Sequence, residues 1–384
     1  MQKTLIALAV AGFMSGAAFA DTSVVIGGKF DAGYQFVHAS NADAANGTSN
    51  GGTTTEPLGD GAASTSRITV QAKEDLAPGW YSMVDLDLRF GTIEEGKNLT
   101  TTGGLNSNDK KALYLGSPFG TLRWGVMNMA QQQYWDFEEK PYMINVKDLE
   151  IVKYGISQKR DTTLTNRNTE YDTPILTTGP VQNRLKFSYA FGDSRKAGSS
   201  DNDNTTSGDS YVVAETGAVG KWVNWGLSSA ARRNTTEGVA TGSGNGMHYS
   251  ENYLNIHPID GLKIGMSYNI FKGAGDTTTE NGLFKEKNTN FVLAYNFGSK
   301  AQIGVERSHL NDLSTNRNSG KGWMIGGSYF LSKNTYLYLA WQKDDYARNV
   351  SKVGGVYSGT SSNFTTTFNK VDQKYTRVGI VKEF

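Results

Sequence analysis

The sequence predicts an all-β chain, a transmembrane antiparallel up-and-down β-barrel of sixteen strands. Three observations predict it. Short strands alternate apolar and polar residues along nearly the whole chain. Long polar loops alternate strictly with short turns. No segment after the first twenty residues approaches the eighteen consecutive apolar residues of a spanning helix. Successive side chains of a strand point to opposite faces. In a barrel that crosses a bilayer, the apolar face meets lipid and the polar face lines a lumen.

The chain opens with Lys3, an almost wholly apolar run from Leu5 to Phe13, and Ala18-Phe19-Ala20 ahead of Asp21. That is the pattern of a secretory signal peptide, so 1–20 is expected to be cleaved and 21–384 to form the barrel. The 384 residues hold 38 basic and 37 acidic side chains; without Lys3 the mature chain is balanced at 37 of each. Balanced charge gives no case for nucleic-acid binding. There is no cysteine, which excludes disulfides, thiol chemistry and Cys-ligated metal. No metal site or cofactor is expected.

In chain order, Ser23 to His38 is the first strand, with Val24, Ile26, Gly28, Phe30, Ala32, Tyr34 and Phe36 on one face and Lys29, Asp31 and Gln35 on the other. A long polar loop, 39–65, follows. From Ser66 to Phe90 runs a hairpin. Ile68, Val70 and Ala72 alternate with Arg67, Thr69, Gln71 and Lys73; then Trp80, Ser82, Val84, Leu86, Leu88 and Phe90 alternate with Tyr81, Met83, Asp85, Asp87 and Arg89. Its turn carries Pro78-Gly79. Lys111 to Gly116 pairs with Thr121 to Val126 across Ser117-Pro118-Phe119-Gly120, with Arg123 opposed to Leu122 and Trp124.

The rhythm then repeats. Asn168 to Thr173 and Asn183 to Phe191 flank a turn at 174–180. Ser210 to Ala218, Val223 to Arg232, Met247 to Ile256, Leu262 to Lys272, Asn288 to Phe297, Gln302 to Leu310, Gly322 to Leu331, Thr335 to Lys343 and Gln373 to Phe384 complete the sixteen. Every long loop falls on one side, as in barrels with short inner turns and long outer loops. Tyr189, Phe191, Tyr295, Phe297, Tyr329, Phe384 and Trp80 are placed near turn-side strand ends, as an interfacial aromatic girdle.

Ordered passages along 21–384 resemble Gram-negative general diffusion porins, in particular their beta-proteobacterial branch. They are Gly28-Lys29-Phe30-Asp31-Ala32-Gly33, Ser66-Arg67-Ile68 through Glu74-Asp75-Leu76, Ala112 to Gly116 with Phe119 to Leu122, Leu331 to Thr335 with Tyr338, and Val378-Gly379-Ile380 through Phe384. The chain departs from the family where Val126 follows Gly125 and in the unusual segment 127–167. The resemblance implies an outer-membrane, water-filled channel, usually a homotrimer, that passes ions and small hydrophilic solutes. It implies that Phe384 is the membrane-assembly signal and that the third long loop, 127–167, folds into the lumen and narrows it.

A channel's chemistry lies in its narrowest ring. Loop 127–167 carries Asp136, Glu138 and Glu139 beside Tyr134, Trp135 and Phe137. The facing wall is expected to present Lys29, Arg67, Arg89, Arg123 and Arg377. Acids facing guanidinium groups would set a transverse field across the gap. The other reading pairs these arginines with Asp31, Asp85 or Asp87 on the same wall.

Rival functions are a channel selective for a sugar or a carboxylate, for which Tyr134, Trp135 and Tyr142 leave room, and a plugged adhesive barrel. An outer-membrane hydrolase is not supported. His38, His248, His257 and His309 show no nucleophile–base–orienter arrangement.

Overall fold

The computed structural model describes residues 22–40, 52–58, 66–89, 110–127, 165–190, 207–234, 247–274, 283–312, 320–349 and 368–384, and among these there is no helix. The strands are β1 (Thr22–Ser40), β2 (Gly52–Leu58), β3 (Arg67–Ala77), β4 (Trp80–Arg89), β5 (Lys111–Ser117), β6 (Gly120–Met127), β7 (Thr165–Asp172), β8 (Leu176–Thr178), β9 (Val181–Ala190), β10 (Ser207–Val219), β11 (Val223–Asn234), β12 (Met247–Ile256), β13 (Leu262–Ala274), β14 (Leu283–Phe297), β15 (Ala301–Asp312), β16 (Gly320–Ser332), β17 (Thr335–Asn349) and β18 (Phe368–Glu383).

Sixteen of these form one closed antiparallel ring. β3 to β7 pair in order, β7 pairs with β9, and β9 to β18 pair in order. β1 closes the ring. Its first part, Thr22 to Lys29, lies along β3, and Lys29 to Ser40 lies along β18. Such an offset between the two edges is the stagger that a tilted barrel requires. The seam ends on Phe384, whose N–H donates to the Gly28 carbonyl at 3.1 Å while its carbonyl accepts from the Gly28 N–H at 2.9 Å.

The two short strands lie outside the sixteen expected. β2 falls in the stretch read as polar loop. Its cause is the stagger: β1 overshoots the top of β3, so Gly33 to Ala39 would be left without hydrogen-bond partners on that edge. The β-branched run Thr53-Thr54-Thr55 within Gly52–Leu58 pairs with it. β8 folds back on the start of β9 inside the turn at 174–180.

Burial alternates with period two. Along β17, Tyr336, Tyr338 and Ala340 are at most 3% exposed, whereas Leu337, Leu339 and Trp341 are 41–58% exposed. The exposed apolar residues of β14, β16 and β18, among them Phe291, Leu293, Ile325 and Ile380, make the same outer face. The buried members on the inner face include Asp31, Asp85, Glu170, Lys186, Glu306, Asp344 and Arg377. Water on the inside and lipid on the outside account for this inversion of an ordinary protein core.

The turns are short where the pattern required. Gly79 takes φ 77° between β3 and β4, a conformation that L side chains rarely adopt. Trp80, Tyr295, Phe297, Tyr329 and Phe384 sit outward at turn-side ends. Tyr189 is a correction. β9 leaves its short turn at Val181 and runs toward the long loop, so Tyr189, one residue from its end, belongs to the opposite rim. Phe191 lies outside the described residues.

One packing feature at the seam gives a test. Gly33 and Gly379 face each other across β1 and β18. The Tyr338 hydroxyl lies over both and donates to Asp31 Oδ1 at 3.2 Å. A Cβ on Gly33 would fall on that hydroxyl and 2.6 Å from the Val378 carbonyl oxygen. Gly33→Ala is expected to destabilise the barrel by ~1–3 kcal/mol through overpacking, read as a lower urea midpoint in vesicles. Gly27→Ala, whose Cβ would meet nothing closer than Thr69 Oγ1 at 3.2 Å, should be milder.

Candidate functional site

The inner wall collects the charged side chains because alternate residues of each strand have nowhere else to point. Lys29 on β1, Arg67 on β3 and Arg89 on β4 occupy one register row, with Lys29 opposite Arg67 and Arg67 opposite Arg89. Lys29 Nζ is 3.4 Å from Glu383 Oε1 on β18 and 5.8 Å from the centre of the Tyr336 ring. Arg67 Nη1 donates to Asp87 Oδ2 at 3.2 Å, a pairing within the wall. The Arg89 side chain lies outside the described residues, and its backbone register places it on the same face as Arg67.

Arg377 sits across the seam and is only 1% exposed. Its Nε donates to Gln35 Oε1 at 2.7 Å and its Nη1 to Gln342 Oε1 at 2.6 Å, so neutral amides from β1 and β17 orient it.

Arg123 on β6 stands apart from that row and is the centre of its own cluster. Its Nη1 donates to Glu170 Oε1 at 3.0 Å and its Nη2 to Asp172 Oδ2, both on β7. Ser188 Oγ on β9 donates to Glu170 Oε2 at 2.6 Å, and Lys186 Nζ lies 4.0 Å from Asp172 Oδ2. The Arg123 guanidinium stacks 5.2 Å from the centre of the Tyr114 ring. Tyr114 in turn donates to Asp85 Oδ2 at 3.3 Å, and Lys110 is ion-paired with the same oxygen.

Glu170, Asp172 and Lys186 are not among the residues that the sequence singles out. The signal is present all the same: Asn168, Glu170 and Asp172 alternate on one face of a short strand, as Lys186 and Ser188 do on the next. Asp136, Glu138 and Glu139 lie outside the described residues, as does nearly all of 127–167. The four histidines are scattered. His38 lies on β1, His248 on β12, His309 on β15, and His257 in a turn with its ring 3.4 Å from Asn224 Nδ2.

A closed sixteen-strand ring, lipid-compatible outside and charged inside, is the architecture of a membrane channel. The family model for Gram-negative porins matches residues 7–349. The chain belongs to the Gram-negative porins. This porin therefore spans the outer membrane as a β-barrel and forms a diffusion channel. No curated protein sequence matches it.

Solved structures similar to this porin share its fold at low identity. An anion-selective porin from Comamonas acidovorans is 17% identical, with a TM-score of 0.63 over 95% of this chain and all of that one. The trimer form of OmpT, an outer membrane protein of Vibrio cholerae, is 11% identical, with a TM-score of 0.59 over 94% of this chain and 99% of that one. Salmonella typhi OmpF is 11% identical, with a TM-score of 0.56 over 94% and 97%.

Proposed function

We propose that this porin passes small hydrophilic solutes and ions by passive diffusion through a constriction framed by Lys29, Arg67, Arg89, Arg123 and Arg377 on the wall. On this reading the acidic members of the constriction are Asp136, Glu138 and Glu139 of segment 127–167. The observation that supports this reading is the row Lys29–Arg67–Arg89, three bases on adjacent strands, with Glu383 at its end. Three bases against the two acids that pair with them, Glu383 and Asp87, leave the row net positive, which raises the local potential for anions. The channel is accordingly weakly anion-preferring, a reading that the likeness to an anion-selective porin supports. The leader 1–20 is removed on export, Phe384 is the assembly signal, and the working unit is a trimer, a state in which the similar Vibrio protein has been solved.

The test is the reversal potential in a planar bilayer under a potassium chloride gradient. The wild-type porin should show ohmic steps in groups of three with a reversal potential of the anion-preferring sign. Lys29→Gln with Arg67→Gln should move it by tens of millivolts toward cations, on the order of the Nernst slope for a severalfold permeability change. A cation-preferring wild type would mean that the loop acids dominate and would overturn the assignment. Single, non-cooperative steps would count against the trimer.

A further inference from the structure

The outer face is apolar for most of its height, but on five successive strands it turns basic toward the long loops. β16 presents Ile325, Trp323 and then Lys321, and β17 presents Leu339, Trp341 and then Lys343. Lys287 on β14, Arg307 on β15 and Lys374 on β18 are outward bases too. Arg307, Lys321 and Lys374 are exposed, while Lys287 and Lys343 are half-buried. Among the described residues, the outward positions of β3, β4, β6 and β9 carry no base. The basic stripe therefore belongs to one wall and does not run round the whole rim.

The height of these bases points to lipid headgroups. Lys321, Lys343 and Lys374 stand 11, 8 and 9 residues from Ser332, Thr335 and Glu383, the turn-side ends of their strands. At ~3.4 Å per residue and a tilt of about 40°, they rise about 20–29 Å, to the top of a lipid-facing band about 25 Å tall. Trp323 and Trp341, just beneath, are placed as interfacial anchors. Arg307, lower on its strand, lays its guanidinium 5.0 Å from the centre of the Trp323 ring. The register also concentrates the charge. Arg307 stands opposite Trp323, Trp323 opposite Lys343, and Lys343 directly opposite Lys374. Like charges directly opposite each other destabilise a strand pair, and the hydrocarbon below weakens screening. Among the described side chains on this wall's outer face, the acid is Asp345, opposite Lys321. One carboxylate leaves five bases with a net positive charge.

We propose that the outer wall of β14 to β18 docks a phosphate-bearing lipid headgroup of the outer leaflet, held by Arg307, Lys321, Lys343 and Lys374. A phosphate among these bases relieves their repulsion and accepts charge-assisted hydrogen bonds from several of them at once. The lipid's acyl chains lie on the apolar residues beneath, Ile325 and Leu339 among them. The long loops of such barrels are extracellular, so this rim meets the outer leaflet. The site lies outside the lumen and does not depend on the constriction.

Diphosphoryl lipid A, added to the folded porin in a neutral detergent, is the probe. The readout is the temperature at which the folded band converts to the unfolded one on a gel, which a ligand of the folded state raises. The wild type should show a saturable rise, and monophosphoryl lipid A should give a weaker one. Arg307→Gln with Lys343→Gln and Lys374→Gln should need about a hundredfold more lipid for the same rise. Its conductance should be unchanged, since none of the three faces the lumen. Lys29→Gln with Arg67→Gln, inside the barrel, should respond to the lipid as the wild type does. All variants are first checked for the heat-modifiable gel shift of a folded barrel. A rise that is absent in the wild type, or unchanged in the folded triple variant, overturns the site and leaves the channel standing. An equal rise with inorganic phosphate alone overturns it as a lipid site. Loss of the oligomer in the triple variant, with no response of the wild type to lipid A, assigns the wall to a second copy of the chain and overturns it as well.

Discussion

Replacing Arg123 by methionine is expected to cost the barrel about 3–5 kcal/mol, the loss seen when one partner of a buried ion pair is removed. The arginine holds Glu170 Oε1 at 3.0 Å and also Asp172 Oδ2, and these carboxylates are 0% and 1% exposed. Methionine fills the space of the side-chain stem but leaves two neighbouring acids facing one ammonium, Lys186, which is 4.0 Å from Asp172. Ser188 continues to bond Glu170 and cannot neutralise it. Urea unfolding in vesicles, followed by tryptophan fluorescence, should therefore show a clear drop in midpoint. Arg123→Met combined with Glu170→Gln and Asp172→Asn should recover most of it, because neutral amides need no counter-charge. If the single variant keeps wild-type stability, the cluster is not held by charge. If the triple variant stays as weak as the single one, packing against Tyr114 is what the arginine supplies.

The same cluster shows where the sequence is legible and where it is not. That Arg123 faces inward follows from Leu122 and Trp124 on either side of it, a local pattern of period two. That it meets Glu170 and Asp172 depends on residues 47 and 49 positions later. The register of β6 on β7 selects those partners, across a long intervening segment and a shift between Gly125 and Met127, and no local pattern encodes it. The row Lys29–Arg67–Arg89 is the same kind of fact. Alternation alone assigns each base to the lumen, while their adjacency requires the offset of β1 on β3. β2 is illegible for that reason too. Gly52–Leu58 is polar and carries Pro57, and it becomes a strand because β1 rises past its neighbour. Tyr189 belongs to the other rim because an aromatic at a strand end does not say which end faces the turn; the direction of β9 does.

Ile325→Arg is the substitution that asks directly which solvent lies outside the ring. Ile325 is in the middle of β16, 47% exposed, between Val305 on β15 and Trp341 on β17. If that outer face meets hydrocarbon, an arginine there costs about 2–4 kcal/mol near the bilayer midplane, falling toward zero at the interfaces. Ile325→Val should cost no more than ~1.5 kcal/mol, since it stays apolar. The neighbouring Met324 points inward, is 1% exposed, and stands opposite Gln342 on β17. Met324→Gln places a polar side chain beside an existing amide, so its penalty should be the smaller, even though Met324 is the more buried of the two. A water-soluble sandwich with this alternation would give the reverse order: arginine at the exposed position would be harmless and glutamine at the buried one costly. Urea midpoints of the three variants in vesicles separate the two cases, because one peptide bond divides a residue solvated by lipid from one on the lumenal face.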